Sequence, residues 1–135
     1  MKMQSVNAPT VKQPKPGVWT NAKIYGNHFF ISGMTAHDLE GNAVGGDSMY
    51  EQAKETFRKI KALTEAAGAR MDDIIELSIY VTDMSEREGV WQARREFFTG
   101  DFPCCTLVEV KGLAIPALKV EIKAQGYVGA TGTEA

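Results

Sequence analysis

Cys104, Cys105, His28 and His37 carry the most reactive side chains of this 135-residue chain. A cysteine attacks an electrophile as its thiolate, which forms readily only beside a histidine or another positive neighbour. His28 falls at a hairpin turn and His37 in the loop after Gly33, so spacing ties neither of them to the cysteines. Cys105 is therefore expected to shape a pocket rather than to attack a substrate. A disulfide between neighbours closes a small strained ring, so both cysteines are expected to be thiols. Strand side chains alternate, which sends the two to opposite faces. No C-x-x-C or H-x-x-x-H spacing calls for a metal. The glycine-rich run GNAVGG precedes Asp47 and lacks the Lys-Ser/Thr of a phosphate loop. Asp72-Asp73 reads as the start of a strand, not as a carboxylate dyad. Glu121 sits between Val120 and Ile122, on the polar side of an alternating segment, where a carboxylate can orient and deprotonate a water.

The elements that hold these residues follow from periodicity. Pro9, Pro14 and Pro16 make residues 1–17 an extended lead-in. Val18–Tyr25 alternates, Gly26-Asn27 turns and His28–Ser32 returns, which predicts a hairpin closed by Gly33. Asp38–Gly46 is a loop with a short strand at Ala43-Val44. Ser48 and Glu51 form a capping-box pattern that opens a helix to about Ala67, with Ala53, Phe57, Ile60, Thr64 and Ala67 as its core stripe and Gly68 as its stop. Ile75, Leu77, Ile79 and Val81 make the apolar face of a strand. Ser85 and Glu88 repeat the capping pattern for a second helix to about Thr99, burying Val90, Phe97 and Phe98. Strands are expected over Thr106–Val110 and Leu118–Gln125, and residues 129–135 read as a frayed tail. The result is one domain over 1–135 of class α+β, a mixed sheet with two helices on one face. The other face carries Glu76, Tyr80, Glu121 and Lys123, and is either solvated or covered by another subunit across a wet interface.

Net charge is -2 with a pI near 5.7, so no basic field invites nucleic acid. No apolar run reaches the roughly 20 residues of a membrane helix. The N-terminus lacks the apolar segment of a signal peptide, and a cytoplasmic location is expected.

Six pieces of the chain, in order, carry a family resemblance: NAPT (7–10), WTNAKIYGN (19–27), FFISGM (29–34), EQAKETFRKIKALTEAAGA (51–69), DDIIELSIYVTDM (72–84) and FPCCTLVEVKGLAIPALKVEIKA (102–124). Together they resemble the RidA family, also called the YjgF/UK114 or L-PSP family, from about Asn7 to Tyr127. The most specific parts are AAG after the first helix, YVTDM, and P-x-x-T-x-V-x-V followed by VEI. The resemblance implies a chorismate-mutase-like fold and a homotrimer with clefts between subunits. It also implies hydrolysis of enamines and imines to a carbonyl product and ammonia, with a small-molecule substrate and no metal or organic cofactor. Glu121 matches the family's glutamate and would act on water. Gly33 matches a glycine whose backbone approaches the ligand, and Thr106 could donate a hydrogen bond to it. Cys105 replaces an arginine that grips the substrate's carboxylate, Trp19 replaces a cleft tyrosine, and Trp91 falls where asparagine is common. A thiol cannot make the paired hydrogen bonds of a guanidinium. A softer, more aromatic pocket is implied, suited to an apolar or aromatic imine or to a substrate without a carboxylate. The rival readings are a non-catalytic trimeric metabolite-binding or regulatory module and, third, an endoribonuclease or translation inhibitor. Acidity and the missing arginine count against the third.

Overall fold

The computed structural model describes residues 1–132. Six strands form one sheet: Gln4–Val6 (β1), Ala22–Tyr25 (β2), His28–Thr35 (β3), Ile74–Val81 (β4), Cys104–Glu109 (β5) and Val120–Tyr127 (β6). Their order is β1-β2-β3-β6-β4-β5. Every neighbouring pair is antiparallel except β4 with β5, which run parallel. A parallel return needs a crossover, and the helix Glu88–Arg94 (α2) supplies it. The helix Met49–Ala66 (α1) lies against α2, β3 and β6. The sheet is thus mixed, with both helices on one face, as the patterning predicts.

Alternation decides what faces the helices. Val120, Ile122 and Ala124 of β6 are buried with Leu77, Ile79 and Val81 of β4 and with Phe57, Ile60 and Leu63 of α1. Each of these except the small Ala124 contributes about 1.5–3 kcal/mol by leaving water. Ser48 caps α1 by accepting the Glu51 N–H at 3.0 Å, and Gly68 follows the helix at φ +90°. That left-handed conformation is why a glycine stands there.

Several boundaries differ from the sequence expectation. The extended lead-in includes a short strand that the patterning did not assign, since Gln4–Val6 pairs with β2 at the sheet edge. The first hairpin strand starts at Ala22, four residues late, because Val18–Asn21 is tied down as a loop. Asn21 Nδ2 donates to Lys12 O at 3.0 Å, and Ser32 Oγ donates to Thr20 O at 2.5 Å. Strand β3 does not end at Gly33 but continues to Thr35 through a bulge. A second irregularity between Ile74 and Glu76 turns Ile75 outward, 44% exposed, and Ile74 inward in its place. The second capping box does not form. Asp83 accepts the Ser85 N–H at 3.0 Å and so caps a short 3-10 turn, Met84–Glu86. With Ser85 used in this way, α2 starts at Glu88 without a side-chain cap and ends at Arg94 rather than Thr99. The strand expected at Ala43-Val44 is a single bridge, His37 to Ala43. Strand β5 begins two residues early, at Cys104, and β6 runs on to Tyr127.

Within the expected tail, residues 129–132 are held in place, while 133–135 lie outside the described residues. Asp73, fully buried, accepts from Arg70 N at 2.9 Å, Thr131 N at 3.0 Å and Thr131 Oγ1 at 3.1 Å. Burial pushes this carboxyl up, but the donors together pull it below the ordinary aspartate value. A depressed folded pKa means stability that is present above the unfolded pKa and lost as pH falls through the folded one. Asp73→Asn is expected to cost about 1–3 kcal/mol at pH 7, seen as a lowered melting temperature. The gap to the wild type should close on acidification.

Candidate active site

Glu121 lies near the start of β6, paired with Thr35 of β3 and Tyr80 of β4, on the face turned away from the helices. Beside it β3 is bulged. Ile31 pairs with Ala124 and Met34 with Ile122, so three steps on β3 match two on β6. The surplus residue falls at Ser32-Gly33, and there the chain has no room for a side chain. A Cβ on Gly33 would stand 2.9 Å from Glu121 Cδ and nearer still to one carboxylate oxygen. Gly33 is not among the glycines with positive φ, so space rather than backbone conformation demands it. The bulge brings the β3 backbone and the Glu121 carboxylate together. Glu121 is half-buried, and burial alone pushes its pKa above the ordinary value of 4.5.

A cavity of about 380 Å³ opens over this carboxylate, lined by Lys12, Lys15, Trp19, Gly33, Thr35 and His37 with apolar walls from Val18, Ile115 and Leu118. Trp19, 55% exposed, also borders a second cavity of about 520 Å³ on the open sheet face, beside Phe30, Glu76 and Lys123. Of the residues singled out from sequence, the structure thus gathers Glu121, Gly33, Trp19 and His37.

His37 lines this cavity, and Lys59 is buried behind it. His37 reaches its wall because Asp38 accepts from Glu40 N at 3.0 Å and Asn42 N at 2.9 Å, turning the loop back on itself. One ring nitrogen, Nδ1, lies 2.9 Å from Thr35 Oγ1. Behind it Lys59 of α1, only 1% exposed, donates to Thr35 O at 2.8 Å. Its Nζ is 3.4 Å from both His37 ring nitrogens. Burial lowers Lys59 to about 8, with Arg58 adding to the effect and Glu55 opposing it. His37 is lowered too, first by burial and then by Lys59 and Lys12. Periodicity alone missed Lys59. The one available signal was its place on a helical row with Gln52, Thr56 and Leu63, all buried. A lysine at such a position ordinarily points to water.

Cys105, Thr106 and Trp91 lie elsewhere in the chain. Strand β5 is a sheet edge, and β4 separates it from β6. Cys105 pairs with Leu77 and so faces the helix layer, while Cys104 and Thr106 pair with Glu76 and Ser78 on the open face. The Arg94 guanidinium stacks 4.4 Å from the Trp91 ring and 5.1 Å from the Phe102 ring, next to the Cys105 thiol. Burial pushes that thiol's pKa up despite the arginine. An unactivated thiol should alkylate slowly. Iodoacetamide at pH 7 is expected to modify Cys105 no faster than it modifies a free cysteine, read by mass spectrometry of the labelled peptide.

Comparisons with known proteins bear on the family and the fold. The sequence profile described as endoribonuclease L-PSP matches residues 10–128. A RutC family protein of Pyrococcus abyssi is 34% identical, over 87% of this chain and 93% of its own. A 2-iminobutanoate/2-iminopropanoate deaminase of Dermatophagoides farinae is 28% identical, over 87% of this chain and 91% of its own. Among solved structures, a Pseudomonas aeruginosa protein of unknown function superposes with a TM-score of 0.82 at 36% identity, covering 93% of this chain and 92% of that one.

Proposed function

The chain belongs to the endoribonuclease L-PSP family, and from that premise we propose that it hydrolyses a reactive imine or enamine to a carbonyl compound and ammonia. The observation that carries this reading is the Glu121 carboxylate, half-buried against Gly33 on the floor of a cavity. Imine hydrolysis needs a water aimed at the C=N carbon and a base to take its proton. A carboxylate whose pKa is raised by burial is a stronger base than one in water. The 28% identical relative named as an imine deaminase supports the same class of reaction.

The assembly proposed with it is a homotrimer. Its support is the open sheet face, where Tyr25, Phe30, Val108 and Tyr127 stay exposed around Glu76 and Lys123. Such a face is what a neighbouring subunit would cover. In a trimer the β5 edge of one subunit could complete the Glu121 cavity of the next, bringing Cys105, Thr106 and Trp91 to the substrate. A guanidinium stands at that edge even though residue 105 is a cysteine, because Arg94 lies beside it. The compartment proposed is the cytoplasm, where the free thiols of Cys104 and Cys105 stay reduced.

The deciding experiment offers purified protein small imines, with and without a carboxylate, generated in situ by an amino-acid oxidase or an amine oxidase. Accelerated ammonia release is the expected result, together with a trimer mass by light scattering. Ligand-dependent thermal stabilisation without turnover would instead favour the non-catalytic binding module.

A further inference from the structure

We infer that His37 and Lys59 form a second acid–base pair of the Glu121 cavity, supplying the proton that the substrate nitrogen gains while Glu121 takes the proton that the water loses. This inference rests on the imine-hydrolase reading. Hydrolysis of C=N moves protons at two places, and a carboxylate that is removing one from water cannot at that moment deliver one to nitrogen.

The geometry places a donor for the second transfer. His37 shares the cavity with Glu121. Lys59 is buried behind it, and among the described residues no carboxylate comes within 4.0 Å of its ammonium. A buried charge without a counter-ion is costly, and an apolar side chain of the same length would fill the position without that penalty. The ammonium spends one N–H on Thr35 O at 2.8 Å. Its remaining hydrogens face the imidazole, 3.4 Å from either ring nitrogen. The ammonium is equidistant from the two nitrogens, and transfer to either one needs the ring to turn an in-plane lone pair toward it.

The proton balance closes. The water oxygen bonds to the C=N carbon, and its first proton passes to Glu121. The π pair becomes the nitrogen lone pair and takes a proton from a His37 ring N–H, while the other ring nitrogen takes one from Lys59. In the collapse, Glu121 passes its proton to nitrogen and receives that of the hydroxyl as ammonia leaves. Glu121 then loses, and Lys59 regains, one proton through solvent. The charged groups bearing on the pair are Arg58 and Glu55 on α1, Lys12 on the lead-in and Asp38 on the loop, with Lys15 and Glu121 around the same cavity. With Lys59 lowered to about 8, the proton source is loaded at neutral pH and empties just above it.

The test is kcat/KM for an in-situ-generated imine across pH 5 to 10 in wild type, Lys59→Met and His37→Gln. The wild type should lose activity above pH about 8. Each variant is expected to be about 10²-fold slower at pH 7, and the alkaline fall should vanish in Lys59→Met while the acid limb set by Glu121 stays. Wild-type rates in both variants, or an unchanged alkaline fall in Lys59→Met, would overturn the inference and leave the hydrolase reading intact if Glu121→Gln is still inactive. No turnover by the wild type at any pH overturns both. Should Lys59→Met fail to fold, His37→Gln decides by its rate, since its side chain lines a cavity rather than the core.

Discussion

Glu121→Gln is expected to lower imine hydrolysis by about 10²–10⁴-fold while leaving the fold intact. The amide keeps the shape of the side chain and its place beside Gly33, so the substitution removes basicity and little else. The accompanying stability change has a definite sign. Burial raises the folded pKa of Glu121 above its ordinary 4.5, so folding favours the protonated form. The penalty is absent below the unfolded pKa and fully incurred above the folded one. At pH 7 the glutamine variant should therefore melt no lower than the wild type, and below pH 4 the two should converge. The same shift places the acid limb of the wild-type activity profile above pH 4.5, because only the carboxylate can accept the water's proton. A variant that melts normally and retains full turnover would remove Glu121 from the mechanism.

Gly33→Ala is the companion case, with an expected loss of about 10²-fold in kcat/KM. The atoms an added methyl would meet are the Cγ, Cδ and one carboxylate oxygen of Glu121, all in a side chain that can swing aside. No backbone has to move, and Gly33 has no left-handed φ to strain. The structural cost should accordingly stay near the low end of the 1–3 kcal/mol usual for overpacking. The functional cost is large because the carboxylate loses its position over the cavity floor. A near-normal melt with much reduced turnover is thus the expected pairing. If Gly33→Ala matches the wild type in rate, the contact between bulge and carboxylate has no part in catalysis.

How much of this was legible beforehand can be followed residue by residue. The alternation around Glu121 placed it on the open face of its strand, and the structure agrees. Gly33 was legible as special, though as a strand end. Its place in a bulge depends on the register between β3 and β6, two strands separated by the whole helical half of the chain. Ser85 was misread because a capping pattern ignores competitors, and the side chain of Asp83 reaches the Ser85 N–H first. Lys59 lay beyond pattern reading altogether. Its burial depends on β3 and the His37 loop closing over α1, which no local rule contains.

The sequence by itself determined the α+β class, the two helices on one sheet face, the family and the outward-facing carboxylate on the last strand. Hydrophobic periodicity and motif spacing are local properties, so they survive reading one residue at a time. Tertiary structure decided which candidates meet. It gathered Glu121, Gly33, Trp19 and His37 around one cavity, buried Lys59 behind His37, and set Cys105 beside Arg94 at the β5 edge of the sheet. Strand order and register make those choices, because they join residues far apart in the chain through backbone pairing that no single segment encodes.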